Sequence, residues 1–348
     1  MILQKMKIRT SAIEQNREGN KNRKIFIISD PKSTINRNER NIAIKKFGQN
    51  IGLDVVEVRI EQGSIIKAIR AIKKNDIVVA QVAPRRNIIF LLLLPLMPKV
   101  IELRDPICDW RFRKGLKNKS MDLLFTVVAR LCAKIILARN GLNICGIERF
   151  ILKSKLEFTP QYGVSSNYIF QNKNKKFEHR ICYFGNIYDE FYKEGLNKLS
   201  LAVNKKIIWV GCEINITETP SSSRIKKYPP VSKKDAYAMQ LAAGANVLIN
   251  SFPDSFIPSK FYELLAFGRP IIYLCPYRDK IARFIDRHQL GIVLTQTWVE
   301  KKISTPLTVN NYKLQQISRI SQKLFSDDVY HRKFWREVSN AGALRGEK

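Results

Sequence analysis

The order in which short apolar runs alternate with helical patterns limits this chain more than any other feature. KIFIISD (24–30), DVVEVRI (54–60), DIVVAQ (76–81), KVIELRD (99–105) and KIILA (134–138) are apolar at most positions rather than at every second one. Such runs suit strands buried on both faces. Between them the spacing predicts helices near 38–51, 63–74, 85–97 and 119–133. Strand–helix alternation of this kind predicts a parallel sheet covered by helices on both sides. The pattern lapses into polar, lysine-rich sequence between about 160 and 178, where a linker is expected. A second series follows: RICYFGNI (180–187), KIIWVG (206–211), NVLIN (246–250), PIIYLC (270–275) and GIVL (291–294). The expected fold is therefore α/β, with two doubly wound parallel-sheet domains of 24–165 and 178–325. A polar tail (1–23) precedes them, and a last helix (326–348) follows an earlier one at 310–325. Two such halves joined by a linker are expected to face a central cleft at the carboxyl ends of their strands, where open α/β sheets bind ligands.

The segment PSKFYELLAFGRPIIYLC (258–275) carries the most chemistry. Pro258 suits a first helical turn because it has no amide hydrogen to leave unpaired. The amides of Ser259, Lys260 and Phe261 would then point out of the helix, and with the helix dipole they form an anion site to which Lys260 adds a full charge. Glu263 stands about one turn on. A carboxylate beside a phosphate site suits the vicinal hydroxyls of a ribose. Gly268 ends the helix before the next strand. The pattern fits a nucleoside diphosphate, and equally an amphipathic helix whose Lys and Glu are solvated.

These fifteen residues, PSKFYELLAFGRPII, resemble the donor-binding helix of GT-B glycosyltransferases, particularly the retaining family 4 (group 1) enzymes. YFGNIYDEFYKEGL (183–196) is similar to that family's first strand and glycine turn in the donor domain, which places Gly185 at the turn. Lys193 matches the diphosphate-binding lysine with one residue of slippage, and Asn186 stands where an arginine is expected. VSKKDAYAMQLAAGANVLIN (231–250) resembles the helix and strand ahead of the donor motif. VIELRDP (100–106) looks like the strand-end Arg-Asp of surface-polysaccharide members. The resemblance implies two Rossmann-like domains, a final helix returning to the first, and transfer of a sugar from a UDP- or GDP-sugar to a glycan or lipid-diphosphate-linked acceptor. It implies surface polysaccharide biosynthesis (capsule, O-antigen or exopolysaccharide), retention of configuration, and no required metal or cofactor. Pro258, Ser259, Lys260, Glu263, Gly185, Asn186 and Lys193 would hold the donor, with Lys260 also stabilising charge on the leaving group.

Three departures stand against the pattern. Ser255 replaces the first glutamate of the Glu-seven residues-Glu pair, no histidine precedes His179, and DPKSTINR (30–37) replaces a glycine-rich first turn. They leave open an alternative, a non-catalytic nucleotide-binding or assembly subunit of the same fold.

The acceptor is expected on the first domain. Asp105, at a strand end, would orient or deprotonate its hydroxyl, or else pair with Arg104 to close a loop. Asp30, also at a strand end, is a lesser candidate. The apolar run IIFLLLLPLM (88–97) lies near Arg85, Arg86, Lys99, Arg111, Arg113, Lys114, Lys117 and Lys119. This combination suits an anionic membrane surface, or a buried helix beside a solvated basic loop. Interrupted by Pro95, the run is too short to span a bilayer, which takes roughly 20 apolar residues.

Composition adds direction without deciding the partner. The net charge is +31, with 32 Lys and Arg against 14 Asp and Glu in 1–160 and 29 against 16 in the remainder. Charge spread over both halves suits an anionic partner, or follows from a Lys-, Ile- and Asn-rich composition of the AT-rich kind. No aromatic-basic stretch, zinc spacing or DNA-binding motif supports nucleic acid. The six cysteines show no paired spacing, and residues 1–23 hold no apolar core. Both features point to a reducing compartment, the cytoplasm or the inner face of the plasma membrane.

Overall fold

The structure, a computed structural model, describes residues 23–29, 35–59, 69–73, 76–81, 86–94, 97–103, 116–137, 156–158, 178–203, 205–214, 223–251, 257–296, 303, 307, 309–325 and 327–343. They form two six-stranded sheets, every pairing parallel. The chain divides into two compact units, Met1–Pro160 with Tyr330–Lys348, and Gln161–Val329.

In the first unit β1 (Ile25–Ser29), β2 (Val55–Arg59), β3 (Ile77–Gln81), β4 (Lys99–Leu103), β5 (Lys134–Leu137) and β6 (Leu156–Phe158) lie in the order β2-β1-β3-β4-β5-β6. Strand order reverses between β1 and β3. Alternate residues of these strands, such as Ile25 and Ile27, pack with Ile44 of α1 (Ile35–Asn50). Helix α2 (Arg86–Leu93) stops two residues short of Pro95, because a proline ring disfavours helical geometry in the residue before it. Within the apolar run Phe90, Leu91, Leu94 and Met97 are buried and Leu93 is exposed, while Lys99, a basic residue flanking the run, is buried rather than at the surface. Helix α3 (Leu116–Leu131) packs on α2 and buries Phe125, Val128 and Ala129.

The second unit holds β7 (Glu178–Phe184), β8 (Ile207–Val210), β9 (Ile225–Tyr228), β10 (Ala243–Ile249), β11 (Ile271–Cys275) and β12 (Gly291–Thr295), in the order β12-β11-β10-β7-β8-β9. On β11, Ile272 and Leu274 face α4 (Glu190–Ala202), whereas Ile271, Tyr273 and Cys275 face α6 (Ser259–Phe267) and α7 (Lys280–His288). Helix α5 (Lys233–Ala242) completes the α6 side through Ala236 and Met239. This alternation is what a strand apolar at every position provides: two buried faces.

Two helices end the chain, α8 (Asn311–Phe325) and α9 (Asp327–Ala343). Leu314 of α8 joins the core of the second unit, while Tyr330, Phe334, Trp335, Val338 and Ala341 of α9 join the core of the first. The polar tail up to residue 22 and the expected linker, apart from residue 178, lie outside the described residues.

Candidate functional site

The strand order of the second sheet reverses between β7 and β10, so the helices that follow these neighbours pack on opposite faces. A divergence of this kind opens a crevice at the carboxyl edge of an α/β sheet. The loop after β7 leads to α4 and the loop after β10 to α6.

Tight turns build the first loop. Gly185 receives the Trp209 indole N–H on its carbonyl at 2.9 Å. Gly211 lies so close that a Cβ there would stand 2.2 Å from the Gly185 oxygen. Asn186 joins the two turns: its Oδ1 accepts the Cys212 amide at 3.3 Å and the Cys212 thiol at 3.2 Å. Its carbonyl accepts the Tyr183 hydroxyl at 2.9 Å. Where the family resemblance expects a cationic clamp, this chain has a loop clasp. Asp189 then caps α4 by accepting the Tyr192 amide at 3.3 Å. Lys193 sits one turn in and pairs with Glu190 at 3.2 Å.

Helix α6 begins one residue later than the sequence suggests. Pro258 is its N-cap, with extended backbone, and Ser259 is the first helical residue. The Phe261 amide, expected to be open, donates to the Pro258 carbonyl at 3.0 Å. Ser259 and Lys260 carry the amides ahead of that first bond. The Lys260 ammonium lies 2.7 Å from Glu263 Oε2, with side-chain exposures of 31% and 15%. These two side chains are therefore neither both solvated nor apart: a charged pair, partly screened from water, stands at the mouth of the helix.

The far end of α6 is fixed by α8. Ser318 and Gln322 donate to the Ala266 carbonyl at 2.7 and 2.9 Å, Ser321 to Tyr262 at 3.3 Å, and Gln315 to Gly268 at 3.4 Å. The last carbonyls of a helix lack intrahelical partners, and for Ala266 a serine and a glutamine supply them. Gly268 turns the chain in the left-handed region at φ 62°. Arg269, buried, donates Nε–H to the Leu241 carbonyl at 2.6 Å at the end of α5, and burial lowers its pKa.

A buried polar group that sequence reasoning missed lies beside this helix. Asn250, just past β10, donates to the Tyr273 hydroxyl at 3.1 Å and to Asp279 Oδ2 at 3.5 Å. The Tyr273 hydroxyl also donates to Asp279 Oδ2. Asp279 Oδ1 caps α7 through the Ala282 amide at 2.7 Å. Burial, and then the Asp279 carboxylate, push the Tyr273 phenol far up, so it stays a neutral donor. These residues come from three separate elements, and no spacing in the sequence announces them.

Of the residues expected at the site, Gly185, Asn186 and Lys193 follow β7, while Pro258, Ser259, Lys260 and Glu263 form the start of α6. The structure pairs Lys260 with Glu263 and gives Lys193 a different partner, Glu190. Asp105, Arg104, Asp30 and Ser255 lie outside the described residues. Among the described residues no cluster of three or more His, Cys, Asp or Glu is placed to hold a metal ion.

No protein-family model matches the chain, and no curated protein matches it in sequence. Solved structures do match over nearly its whole length. The UDP-forming α,α-trehalose-phosphate synthase of Burkholderia xenovorans is 9% identical, with 92% of this chain and 99% of that one covered and a TM-score of 0.58. The lipopolysaccharide outer core galactosyltransferase WaaB is 12% identical, with 90% and 99% covered and a TM-score of 0.56. The UDP-GlcNAc 2-epimerase of Methanocaldococcus jannaschii is 11% identical, with 91% and 99% covered and a TM-score of 0.52. At these identities the likeness is one of fold: two Rossmann-like domains of the GT-B type.

Proposed function

We propose that this GT-B chain is a glycosyltransferase that moves a sugar from a nucleotide-sugar, UDP- or GDP-linked, to a glycan or lipid-linked acceptor in surface polysaccharide synthesis. One observation carries the reading. At the start of α6, beside the strand-order reversal, two helix amides, the Lys260 ammonium and the Glu263 carboxylate stand within one turn. The amides of Ser259 and Lys260, with Lys260 itself, take the diphosphate. Glu263 Oε2 holds the lysine, which leaves Oε1 for a ribose hydroxyl. Gly185 and Pro258 shape the two turns, and Lys193 adds a second cation from α4. As the bond to the sugar breaks, negative charge grows on the leaving diphosphate, and fixed cations and amides stabilise that state more than the ground state. Configuration is retained, no metal is needed, and Asp105 orients the acceptor hydroxyl.

The test is a thermal-shift series with UDP, GDP, ADP and CMP. A nucleotide at about 100 times its Kd should stabilise the protein by about 2.7 kcal/mol. Glu263→Ala should abolish the shift. Lys260→Met should weaken the diphosphate more than the matching nucleoside, since the ammonium meets the phosphates directly and the ribose only through Glu263. A well-folded protein that no nucleotide shifts would overturn the reading.

A non-catalytic subunit is the second reading, favoured by Asn186. Its Oδ1 is committed to Cys212, so the clamp has one cation fewer than the resemblance expects. Nucleotide binding with no nucleoside diphosphate release from any sugar donor, in the presence of a proven acceptor, would select it.

A membrane-facing role rests on the first unit. Leu93 of α2 and Val127, Arg130 and Leu131 of α3 are exposed. Among the described residues no helix is long and apolar enough to cross a membrane, so attachment would be at the surface of an anionic bilayer.

A further inference from the structure

Helices α4 and α6 pack on opposite faces of the second sheet, yet a nucleoside diphosphate held as proposed above draws on both. Lys193 comes from one, and Lys260 with the open amides from the other. The two helices follow neighbouring strands, β7 and β10, so backbone pairing ends just where the two helix starts must be held in register. Side chains continue across that gap. Asp189, the α4 cap, accepts the Ser251 hydroxyl on its second oxygen at 3.5 Å. The Tyr192 phenol stands next to Ser251, which offsets part of the rise that burial imposes on its pKa. One residue earlier, Asn250 reaches the other way to Tyr273 and to Asp279, the α7 cap. Asn250 and Ser251 are also the residues from which the chain sets out toward α6.

We infer that Ser251 and Asn250 are positioning residues: the polar strap they form between the caps of α4 and α7 holds the α6 phosphate site in register with Lys193. The inference rests on the nucleotide-binding reading. Stability alone is a poor account of the strap. Asn250 and Asp279 are 1% and 3% exposed, and burying an amide and a carboxylate costs desolvation that apolar side chains of similar volume would not incur. What a fully satisfied polar network offers in exchange is one fixed geometry.

Ser251 provides the test because it is only half-buried, so its truncation should leave the fold intact. Wild type, Ser251→Ala, Ser251→Thr, Tyr192→Phe and the double variant Ser251→Ala/Tyr192→Phe are compared by unliganded melting temperature and by Kd for the nucleoside diphosphate that binds wild type most tightly. Ser251→Ala should melt within about 2 °C of wild type, yet bind about ten-fold more weakly, the loss of roughly one hydrogen bond. Ser251→Thr, which keeps the hydroxyl, should recover wild-type affinity. The double variant should bind no more weakly than its weaker parent, because Ser251→Ala already removes the hydroxyl that Tyr192 meets. An unchanged Kd in Ser251→Ala overturns the inference and leaves the nucleotide reading standing. Additive losses overturn it too, since Ser251 would then touch the nucleotide itself. If wild type binds none of the nucleotides, the functional reading fails and the inference falls with it.

Discussion

Lys260 and Glu263 satisfy each other, so a phosphate held there as proposed would exchange one charge-assisted contact for others. A pair only partly exposed is less screened than a surface ion pair, and each partner keeps hydrogen-bonding capacity to spare. Nearby, Cys275 shows what the same edge does to a group with no ligand role. Burial, followed by the Asp279 carboxylate, raises its thiol from 9.0 to about 12. The folded thiol thus keeps a proton that the unfolded chain releases between pH 9 and 12. Its contribution to stability is full below pH 9 and fades across that window. An alkylating reagent at pH 8 should leave Cys275 unmodified in the native protein and modify it readily in urea, read by mass spectrometry. Equal rates in both states would contradict this burial.

At the scale of elements, two helices are placed by partners distant in sequence. Helix α6 is gripped at its carboxyl end by four polar side chains of α8, two of them serines small enough to let the helices approach. Helix α9 belongs to the core of the first unit. Trp335 is buried, donates its indole N–H to the Ile44 carbonyl at 3.1 Å, and packs against Gly48 so closely that a Cβ there would meet the ring at 2.5 Å. Tyr330 adds a hydrogen bond to buried Glu102 of β4, and Lys134 of β5 pairs with Glu337 at 3.4 Å. Trp335→Ala should therefore cost the first unit about 3–5 kcal/mol, by lost burial and the cavity left behind. Urea unfolding followed by a probe on β1–β5 would measure it. A loss below about 1 kcal/mol would mean that α9 is peripheral to this core.

For the whole molecule, charge and exposed apolar surface decide what it meets. The net charge of +31 acts at a distance set by salt, while Leu93, Val127 and Leu131 act only on contact. The protein should co-sediment with vesicles of about 30% anionic lipid at low salt and leave them as salt approaches about 0.5 M. Leu93→Ser with Leu131→Ser should reduce the low-salt binding several-fold if the apolar trio inserts. Absence of salt-sensitive binding would remove the membrane from the proposal.

The apolar runs and their spacing determined the two parallel sheets, since a strand that is apolar throughout must be covered on both sides wherever it lies. Two strands escaped this reading. The stretch at β6 has only three strand residues, and β9 reads IKKY, its lysines exposed at the edge of the sheet. The end of α6 was legible because glycine in the left-handed region is a local requirement, whereas the Lys260–Glu263 contact was not, since their spacing equally allowed separate ligand roles or two solvated side chains. The order of strands was not legible. The reversal between β7 and β10 depends on which faces the connecting helices cover, and that is settled only when the whole sheet packs. The strap of Asp189, Ser251, Asn250, Tyr273 and Asp279 follows from that reversal. Its members span ninety positions of sequence, and only strand neighbourhood, fixed by burial of both sheet faces, brings their hydrogen-bonding groups within reach of one another.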